Sequence, residues 1–360
     1  MLKTDKIFLV FYILVIVSAL VTPKLLWNNG NGSKCESDFP PPYPASNPSY
    51  TIETDGVKVY AWKHGQPFFE SFDFGEVLEK AVNASSSEGG GLIYIRAGNY
   101  HVKLRHVITG SSSKITYYIG VLISKPRNVI IAGEGYMTIL KSSSKVTNIL
   151  YIYDALNFTL CNMIIDGNKQ ILDLSGRDGY SIILTGGGVN IVFKDLLLRN
   201  GKYCAIYVGN NNVLDEIDWV GYATNVTIVN VYTFQNDGIG VFLDATNNGK
   251  ALNCKSENDH YAIGFSAVDW DWWNISQAFI NTTIIDPVWG AFVGWYPEGK
   301  LQNITIYLSR PQHGYLFDFT NATHIEVENI YIYAKAKIER LIFINNGNVI
   351  FKGDFIIAEP

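Results

Sequence analysis

Residues 157–168 read Asn-Phe-Thr-Leu-Cys-Asn-Met-Ile-Ile-Asp-Gly-Asn, and an Asn followed by a short β-branched run returns again and again along the chain. Such runs, bounded by turn-forming residues, are typical of short strands. The copies begin at Asn128, Asn157, Asn190, Asn225, Asn303 and Asn348, with weaker copies near Lys250, Ser276 and His324. From Asn128 to Asn348 the chain makes eight steps of about 27 residues, a repeat length typical of solenoid proteins.

Each repeat is predicted to contain three strands. A Gly-marked apolar strand comes first, the Asn-led strand follows a variable loop, and a third strand follows a polar turn. Several repeats place a turn former five residues after the leading Asn, where the left-handed backbone region is favoured. These residues are Asn162, Asp195, Asn230 and Gly353. Successive coils would pair in parallel about 4.8 Å apart around one core, so residues 50–360 are predicted to form an all-β parallel β-helix.

Composition and charge limit the function classes. The formal net charge is −5, and no long Lys/Arg run could track a phosphate backbone, which argues against a nucleic-acid partner. The 22 Tyr, 19 Phe, 8 Trp and 32 Gly residues are typical of strands and tight turns rather than of a helical bundle.

The N-terminal segment indicates export. A basic start precedes an uncharged run from Ile7 to Val21, which is shorter than the roughly 20 residues that a helix needs to span a bilayer. Residues 1–27 are predicted to be a signal peptide cleaved after Ala19, or else a short membrane anchor. Residues 28–49, rich in Asn, Gly, Ser and Pro, are predicted to be a flexible tether. The protein is expected to be extracellular, either secreted or anchored at the cell surface.

Eight Asn-x-Ser/Thr sequons agree with export. The predicted glycosylation sites are Asn83, Asn157, Asn225, Asn274, Asn281, Asn303 and Asn321, and the eighth sequon begins at Asn31.

The cysteines do not indicate a metal site. Cys35, Cys161, Cys204 and Cys254 lack CxxC spacing, so a zinc cluster is not predicted. The last three lie in strand-like sequence and are predicted to be buried thiols, with one disulfide as the alternative.

Three segments carry a family resemblance. They read Gly-Gly-Gly-Leu-Ile-Tyr-Ile-Arg-Ala-Gly-Asn-Tyr over 89–100, Val-Ile-Ile-Ala-Gly-Glu-Gly over 129–135 and Met-Ile-Ile-Asp-Gly-Asn over 163–168. Together they resemble the opening coils of the pectate-lyase-like superfamily of right-handed parallel β-helices, and the similarity covers about residues 65–355. The resemblance also implies that residues 72–84, with apolar residues at helical spacing, form the N-terminal helix that caps the solenoid. The superfamily includes hydrolases, lyases, epimerases, spike proteins and proteins without catalysis, so the fold does not name the function.

If the coils are in register, the turns that enter the first strand of each repeat stack into a column. Its members are Arg177-Asp178, Lys202, Asn236-Asp237, Asn258-Asp259-His260, Trp289 and His313. Glycoside cleavage uses one carboxyl group to protonate the leaving oxygen and another to activate water or attack the sugar. Asp237 and Asp259 are the predicted catalytic pair, because like charges one coil apart would raise one of the two pKa values. His260 is predicted to orient the acid or to bind a sugar hydroxyl.

The polygalacturonase-like branch of the superfamily carries Asn-Thr-Asp and Asp-Asp motifs on successive coils. Asn236-Asp237 followed by Asp259 resembles these two motifs, whereas the Gly-His-Gly and Arg-x-Lys motifs of that branch have no counterpart here. Hydrolysis by two carboxylates requires no cofactor.

Lyase chemistry is a second possibility that the superfamily resemblance leaves open. It would use a basic side chain near the uronate α-carbon, commonly with Ca²⁺ on the substrate carboxylate. The candidate bases are Arg177, Lys202 and Arg310, and Asp178 or Asp244 would contact the cation.

Aromatic loop residues indicate a carbohydrate partner. Several Trp rings come from the same loop position on three coils, where they either stack on sugar rings or pack on one another as a lid. The predicted substrate-binding residues are Trp219, Trp270, Trp272, Trp273, Trp295, Tyr296 and His313.

The sequence therefore supports two functions of different classes. The first is an exported glycoside hydrolase that acts on an extended polysaccharide laid along the coils. The second is a non-catalytic cell-surface or envelope protein that uses a rigid solenoid for adhesion. A polysaccharide lyase or epimerase is the third alternative.

Overall fold

Strands dominate this computed structural model, and they begin just after the predicted tether. The structure describes residues 47–109, 116–143, 146, 148–169, 181–209, 223–244, 246–266, 276–295, 298–345 and 347–359. The predicted signal or anchor segment and most of the tether lie outside these ranges. Within them, no helix has both the length and the apolar character that a bilayer crossing requires.

The described residues form 24 strands, one α-helix and one 3₁₀ turn (Gly135–Met137). The helix is α1 (Phe74–Ser87), and the first strands are β1 (Tyr50–Thr54), β2 (Val59–Lys63), β3 (Gln66–Ser71), β4 (Gly91–Ile95), β5 (Gly98–Val102), β6 (His106–Thr109), β7 (Thr116–Ser124), β8 (Val129–Gly133) and β9 (Thr138–Ser142). The central strands are β10 (Asn148–Asp166), β11 (Ser181–Arg199), β12 (Cys204–Gly209), β13 (Ala223–Phe234), β14 (Ile239–Asp244), β15 (Asn247–Leu252), β16 (Lys255–Glu257) and β17 (Tyr261–Ser266). The last strands are β18 (Gln277–Ile285), β19 (Gly290–Trp295), β20 (Glu298–Leu308), β21 (Phe317–Thr320), β22 (His324–Ala334), β23 (Ile342–Asn345) and β24 (Val349–Ala358).

Most strands stack into three parallel sheets, one for each strand of the predicted repeat, whereas β2, β3 and β6 pair antiparallel near the N-terminal end. The first sheet contains β7, β12, β14, β17, β19, β21, β23 and the N-terminal parts of β10 and β11. The second sheet contains β1, β4, β8, β15 and one part each of β10, β11, β13, β18, β20, β22 and β24. The third sheet contains β5, β9, β16 and the C-terminal parts of the same long strands.

The core is one continuous apolar interior. In the first sheet, for example, one inward file joins successive coils through aligned Cα partners, and most of its side chains are fully buried. Its members are Val121, Leu150, Ile183, Ile206, Val241, Ile263, Phe292, Phe317 and Ile342. The predicted stacking of coils and the alternation of inward and outward side chains are confirmed.

Asparagine side chains form a ladder along the turn that precedes the second sheet. Asn128, Asn157, Asn190, Asn225 and Asn248 all have φ between 52° and 57°. From Asn157 onward, each Nδ2 donates to the Oδ1 of the Asn one coil earlier, at 2.8–3.1 Å. Asn tolerates the left-handed region better than other residues with a side chain, and its amide both donates and accepts, so it suits this position. We call this set the first Asn ladder.

A second Asn ladder follows the turn between the second and third sheets. Asn253, Asn281, Asn303 and Asn329 are linked by the same amide bonds at 2.9–3.1 Å. The turn formers expected near the left-handed region also lie at this turn, and the expectation is confirmed by φ values of 53–67° at Asn162, Asp195, Asn230 and Gly353. The interpretation of Asn303 as the start of an Asn-led second strand was wrong. Because its amide aligns with Asn281 and Asn329, it starts a strand of the third sheet.

The predicted helix over residues 72–84 is present as α1. Asp73 is its N-cap, and the Asp73 carboxylate accepts hydrogen bonds from the backbone of Gly75 at 2.8 Å and Glu76 at 3.3 Å. Its apolar face is buried against the first coils, with Val77 and Leu78 fully inaccessible.

Cys161, Cys204 and Cys254 are buried free thiols, as predicted, and Cys35 lies outside the described residues.

Candidate functional site

The predicted column of turn residues exists at the entrance to the first sheet. Backbone hydrogen bonds join its coils, from His260 N to Asn236 O at 3.0 Å, from Trp289 N to His260 O at 2.8 Å and from Gly314 N to Trp289 O at 2.9 Å. We call this set of side chains the turn file; it consists of Lys202, Asp237, His260, Trp289 and His313. Arg177 and Asp178 lie outside the described residues.

Rings stack along the turn file. The ring centroids of His260 and Trp289 are 5.3 Å apart with planes 20° apart, and those of Trp289 and His313 are 6.4 Å apart with planes 49° apart. Trp289 is 40% exposed. The indole is therefore stacked on one imidazole and tilted against the other, and its exposed part lies next to polar ring nitrogens.

Glycines of the first sheet make room for these rings. A Cβ on Gly314 would lie 2.2 Å from Cδ1 of Trp289, and one on Gly290 would lie 3.0 Å from the Tyr261 ring. Likewise, a Cβ on Gly264 would lie 2.8 Å from the Phe242 ring. Each ring therefore lies on the backbone of the next coil, which explains why the first strand of each repeat is marked by Gly.

A second exposed indole lies at the other end of strand β19. Trp295 is 42% exposed and meets Phe242 edge to face, with ring centroids 5.9 Å apart. Trp289 and Trp295 are six residues apart, which corresponds to about 20 Å along an extended strand. The outer surface of the first sheet is thus flanked by two exposed indoles.

Asp237 lies on the surface within a cluster of charges. Its side chain is 41% exposed. Lys169 Nζ donates to Asp237 Oδ1 at 2.6 Å, and Lys202 Nζ lies 3.5 Å from Asp237 Oδ2. The two lysines leave the carboxylate accessible but paired.

Asp259 is completely inaccessible. Its Oδ2 accepts hydrogen bonds from the hydroxyls of Thr233 and of Ser256, the latter at 2.7 Å. Its Oδ1 accepts from the backbone N of Asn236 at 2.9 Å and from Asn236 Nδ2 at 2.8 Å. Burial raises the pKa of this carboxyl to about 6, although all four hydrogen bonds lower it.

The expected roles of Asp237 and Asp259 are corrected by this placement. The two carboxyls do not face one groove, because the Asp259 oxygens are bonded inside the solenoid while Asp237 points into solvent. The buried carboxyl instead ties neighbouring coils together.

A difference in turn length explains this placement. Both turns begin after a residue in the left-handed region, Gln235 in one coil and Asn258 in the next. Strand β14 starts four residues after Gln235, at Ile239. Strand β17 starts only three residues after Asn258, at Tyr261, so the second turn is one residue shorter. Asp259 therefore takes the interior position that Asn236 has one coil earlier, and His260 takes the outer position of Asp237. A shift of one residue moves a side chain to the other face.

His260 is half-buried in the turn file. Burial lowers the pKa of its imidazole; the charge of Asp237 opposes this shift and the His313 ring adds to it. At neutral pH the ring is therefore mostly uncharged and can donate through one nitrogen and accept through the other.

A further carboxyl lies at the far end of the first-sheet strands. Asp244 ends strand β14 and is only partly exposed. Its Oδ2 accepts a short hydrogen bond from the Tyr207 hydroxyl. Asp244 was predicted only as a contact for a cation, and Tyr207 was not among the predicted site residues. Placing both residues on the outer face of neighbouring first-sheet strands would have brought them together.

Comparison with solved structures identifies the fold. One match is ORF18 of Geobacillus virus E2, with a TM-score of 0.50 and 16% identity over 79% of this chain and 59% of that one. Another is the tailspike protein of E. coli bacteriophage HK620 in complex with a hexasaccharide, with a TM-score of 0.56 and 13% identity over 80% of this chain and 59% of that one. The chain is a right-handed parallel β-helix. The predicted fold class is therefore confirmed.

The β-helix spans about three fifths of the length of these two structures. No protein-family model matches the chain, and no curated protein matches it.

Four predicted glycosylation sites lie in the Asn ladders of the β-helix. Asn157 and Asn225 belong to the first ladder, and Asn281 and Asn303 belong to the second. A ladder Asn followed by an inward apolar or β-branched residue and an outward Thr produces the sequon pattern by itself. Half of the eight sequons therefore have an architectural explanation.

Of the other predicted site residues, some lie within the described part of the chain and some lie outside it. Asn83 is exposed on α1, and Asn321 lies in a turn with φ 52°. Several predicted sites lie outside the described residues; they are Trp219, Trp270, Trp272, Trp273, Asn274 and Tyr296.

The described residues contain no group of three or more His, Cys, Asp or Glu side chains arranged to hold a metal ion.

A groove of about 570 Å³ lies at the N-terminal end of the β-helix, away from the turn file. Its described lining includes Val57, Phe72, His101 and Lys103 but no carboxyl group. It lacks the acids that glycoside cleavage uses, so the first sheet is the better candidate.

Proposed function

We propose that this β-helix binds an extended polysaccharide along the outer surface of its first sheet and hydrolyses the glycosidic bonds of that polymer. The observation that carries the proposal is the exposed indole of Trp289, held flat by His260, with Trp295 exposed at the other end of the same strand.

The chemistry of this surface suits sugars. A sugar ring presents apolar C–H faces together with hydroxyls that donate and accept hydrogen bonds, so it needs flat aromatic rings next to polar groups. Trp289 and Trp295 supply the rings. His260, His313 and Asp237 supply donors and acceptors beside them.

The regular stacking of coils suits a polymer. Parallel strands repeat about every 4.8 Å along the solenoid axis, so equivalent turn residues form a straight row. A straight row of polar and aromatic contacts fits an extended chain of sugars. The tailspike of bacteriophage HK620, which has the same fold, was solved with a bound hexasaccharide, and this supports the proposal.

Export belongs to the same proposal, because a protein acting on an extracellular polymer must reach it. The basic start and the uncharged run of residues 7–21 support it.

Binding can be tested with a panel of neutral, acidic and amino polysaccharides. We expect one of them to bind, and the double variant W289A/W295A to bind it at least tenfold more weakly. The control is Y307A, which removes an aromatic ring of equal exposure (42%) from the third sheet. Equal loss in both variants, or loss in neither, would exclude the first sheet as the binding surface.

Hydrolysis is tested on the polymer that binds. New reducing ends without absorbance from unsaturated sugar support a hydrolase. Unsaturated product supports the lyase alternative instead.

Binding without bond cleavage is the second candidate function. The burial of Asp259 favours it, because the carboxyl pair expected in the turn file is absent from the surface. Tight binding with no new reducing ends after prolonged incubation would establish the non-catalytic function.

A further inference from the structure

The strand ends opposite the turn file carry a second row of outward polar and aromatic side chains. Asp244, Ser266, Trp295 and Thr320 are aligned partners on four successive coils. Asp244 therefore lies in the same row as the exposed indole of Trp295, two coils away. At the spacing of parallel strands this separation is about 10 Å between backbones.

Two hydroxyls fix the Asp244 carboxyl. The phenol of Tyr207, one coil earlier, donates to Asp244 Oδ2. The Ser266 hydroxyl, one coil later, also hydrogen bonds to this carboxyl. Support from both neighbouring coils holds the group in one orientation, as acid–base catalysis requires.

Asp244 lies next to apolar side chains on the side that faces the first sheet. Cys204, Ile239, Phe242 and Val293 form a buried cluster on the outer face of the first sheet, and the Tyr207 ring packs against it. The Tyr207 and Phe242 rings are 5.3 Å apart. A carboxyl at the edge of such a cluster is poorly hydrated yet still partly accessible.

We propose that Asp244 is the catalytic acid of the polysaccharide hydrolysis and that Tyr207 and Ser266 position it. This inference rests on the function proposed above, and it names the group that protonates the leaving oxygen.

The protonated Asp244 carboxyl transfers its proton to the glycosidic oxygen as the bond from that oxygen to the anomeric carbon breaks. The pair of electrons of that bond stays on the oxygen, which leaves as the hydroxyl of the released sugar. Water then forms a bond to the anomeric carbon, and its proton returns to Asp244.

The direction in which the pKa of Asp244 is shifted agrees with this role. Burial raises the pKa of its carboxyl, while the bonds from Tyr207 and Ser266 lower it. The other described titratable groups that interact with Asp244 are Tyr207 and Cys204. Burial raises the pKa of both, that of the thiol to about 12, so both are neutral over the range in which Asp244 titrates.

Neither of the acids first predicted fits the role as well. Asp259 has no accessible surface, and the Asp237 carboxylate is already engaged by Lys169 and Lys202.

The first test is the isosteric variant D244N on the polymer that the wild type cleaves. We expect kcat to fall by at least 100-fold with binding unchanged, because general acid catalysis contributes about 10²–10⁴. The matched control is D318N, which removes an outward carboxyl of the same sheet that also accepts a hydroxyl bond, from Thr320 at 2.7 Å. Its rate should equal that of the wild type.

The second test separates positioning from folding. In Y207F the carboxyl loses a hydrogen bond that stabilises its ionised form, so its pKa rises. Since the acid must be protonated, the alkaline limb of the kcat/KM profile should move to higher pH. A Tyr207 that served only packing would leave this limb in place.

The possible failures are distinguishable. If the wild type neither binds nor cleaves any polymer of the panel, the proposed function and this inference are both overturned. If the wild type cleaves and D244N cleaves within tenfold of it, only the role of Asp244 is overturned. If D244N is unfolded, an unmoved pH profile in Y207F overturns that role.

Discussion

The indole of Trp289 lies against the imidazole of His260, with ring centroids 5.3 Å apart and planes 20° apart. The two residues are 29 positions apart in the chain but occupy neighbouring coils at the entrance to the first sheet. This contact both shields the imidazole from water and holds the indole flat at the surface.

The titration of His260 should report this contact. Because burial is the main cause of its lowered pKa, W289A should raise the His260 pKa toward 6.5, and H313A should raise it as well. D237N should lower it further, since it removes the negative charge that favours the imidazolium. Two-dimensional NMR of the ring protons between pH 4 and 8 measures all three shifts. An identical midpoint in wild type and W289A would show that Trp289 does not shield the ring.

Gly314 should be required for the orientation of Trp289. A methyl group at this position would lie 2.2 Å from Cδ1 and Nε1 of the indole, which must therefore move. We expect G314A to lose polysaccharide affinity by a factor similar to that of W289A while the fold stays intact by circular dichroism. Wild-type affinity in G314A would mean that the flat orientation does not matter for binding.

The buried carboxyl of Asp259 should make stability fall as pH rises. Its folded pKa of about 6 lies above the ordinary value of 3.8 for an Asp carboxyl, so the folded protein binds the proton more tightly than the unfolded chain. The contribution is fully favourable below about pH 4 and is lost between about pH 4 and 6, by roughly 3 kcal/mol at 1.36 kcal/mol per pKa unit. Urea unfolding of wild type and D259N across this window measures it. A stability difference between the two proteins that is independent of pH would contradict the raised pKa.

The Asn ladder should contribute to stability through both geometry and hydrogen bonding. Asn190 has φ 57°, donates to Asn157 and accepts from Asn225. We expect N190A to lower the free energy of unfolding by about 1–3 kcal/mol, because Ala loses the amide bonds and strains at positive φ. N190G should recover about 1 kcal/mol of that loss, since Gly adopts this φ without strain. Equal destabilisation in both variants would leave only the hydrogen bonds as the cause.

Much of the fold could be predicted from the spacing of Asn and β-branched residues. A residue such as Asn162 or Asn230 in a polar turn between two apolar runs has few alternatives to a left-handed turn, and the structure has it there. The role of Asn303 could not be predicted in the same way. The sequence Asn-Ile-Thr-Ile suits the start of a strand in either the second or the third sheet, and only the pairing with Asn281 decides between them.

The turn file was predictable as a stacked row of residues but not in detail. The turn file follows from stacking alone. The inward position of Asp259 depends on a turn one residue shorter than its neighbour, and the Tyr207–Asp244 pair depends on which strands are adjacent. Both are consequences of register, which a single sequence specifies weakly wherever turns vary in length.

A structure of the protein with an oligosaccharide of the bound polymer tests the location of the sugar site most directly. We expect sugar rings stacked on Trp289 and Trp295 along the outer surface of the first sheet, with hydroxyls bonded to His260 or His313. Sugar bound elsewhere, for instance on the exposed Tyr307 ring of the third sheet, with the first sheet unoccupied, would contradict the proposed function.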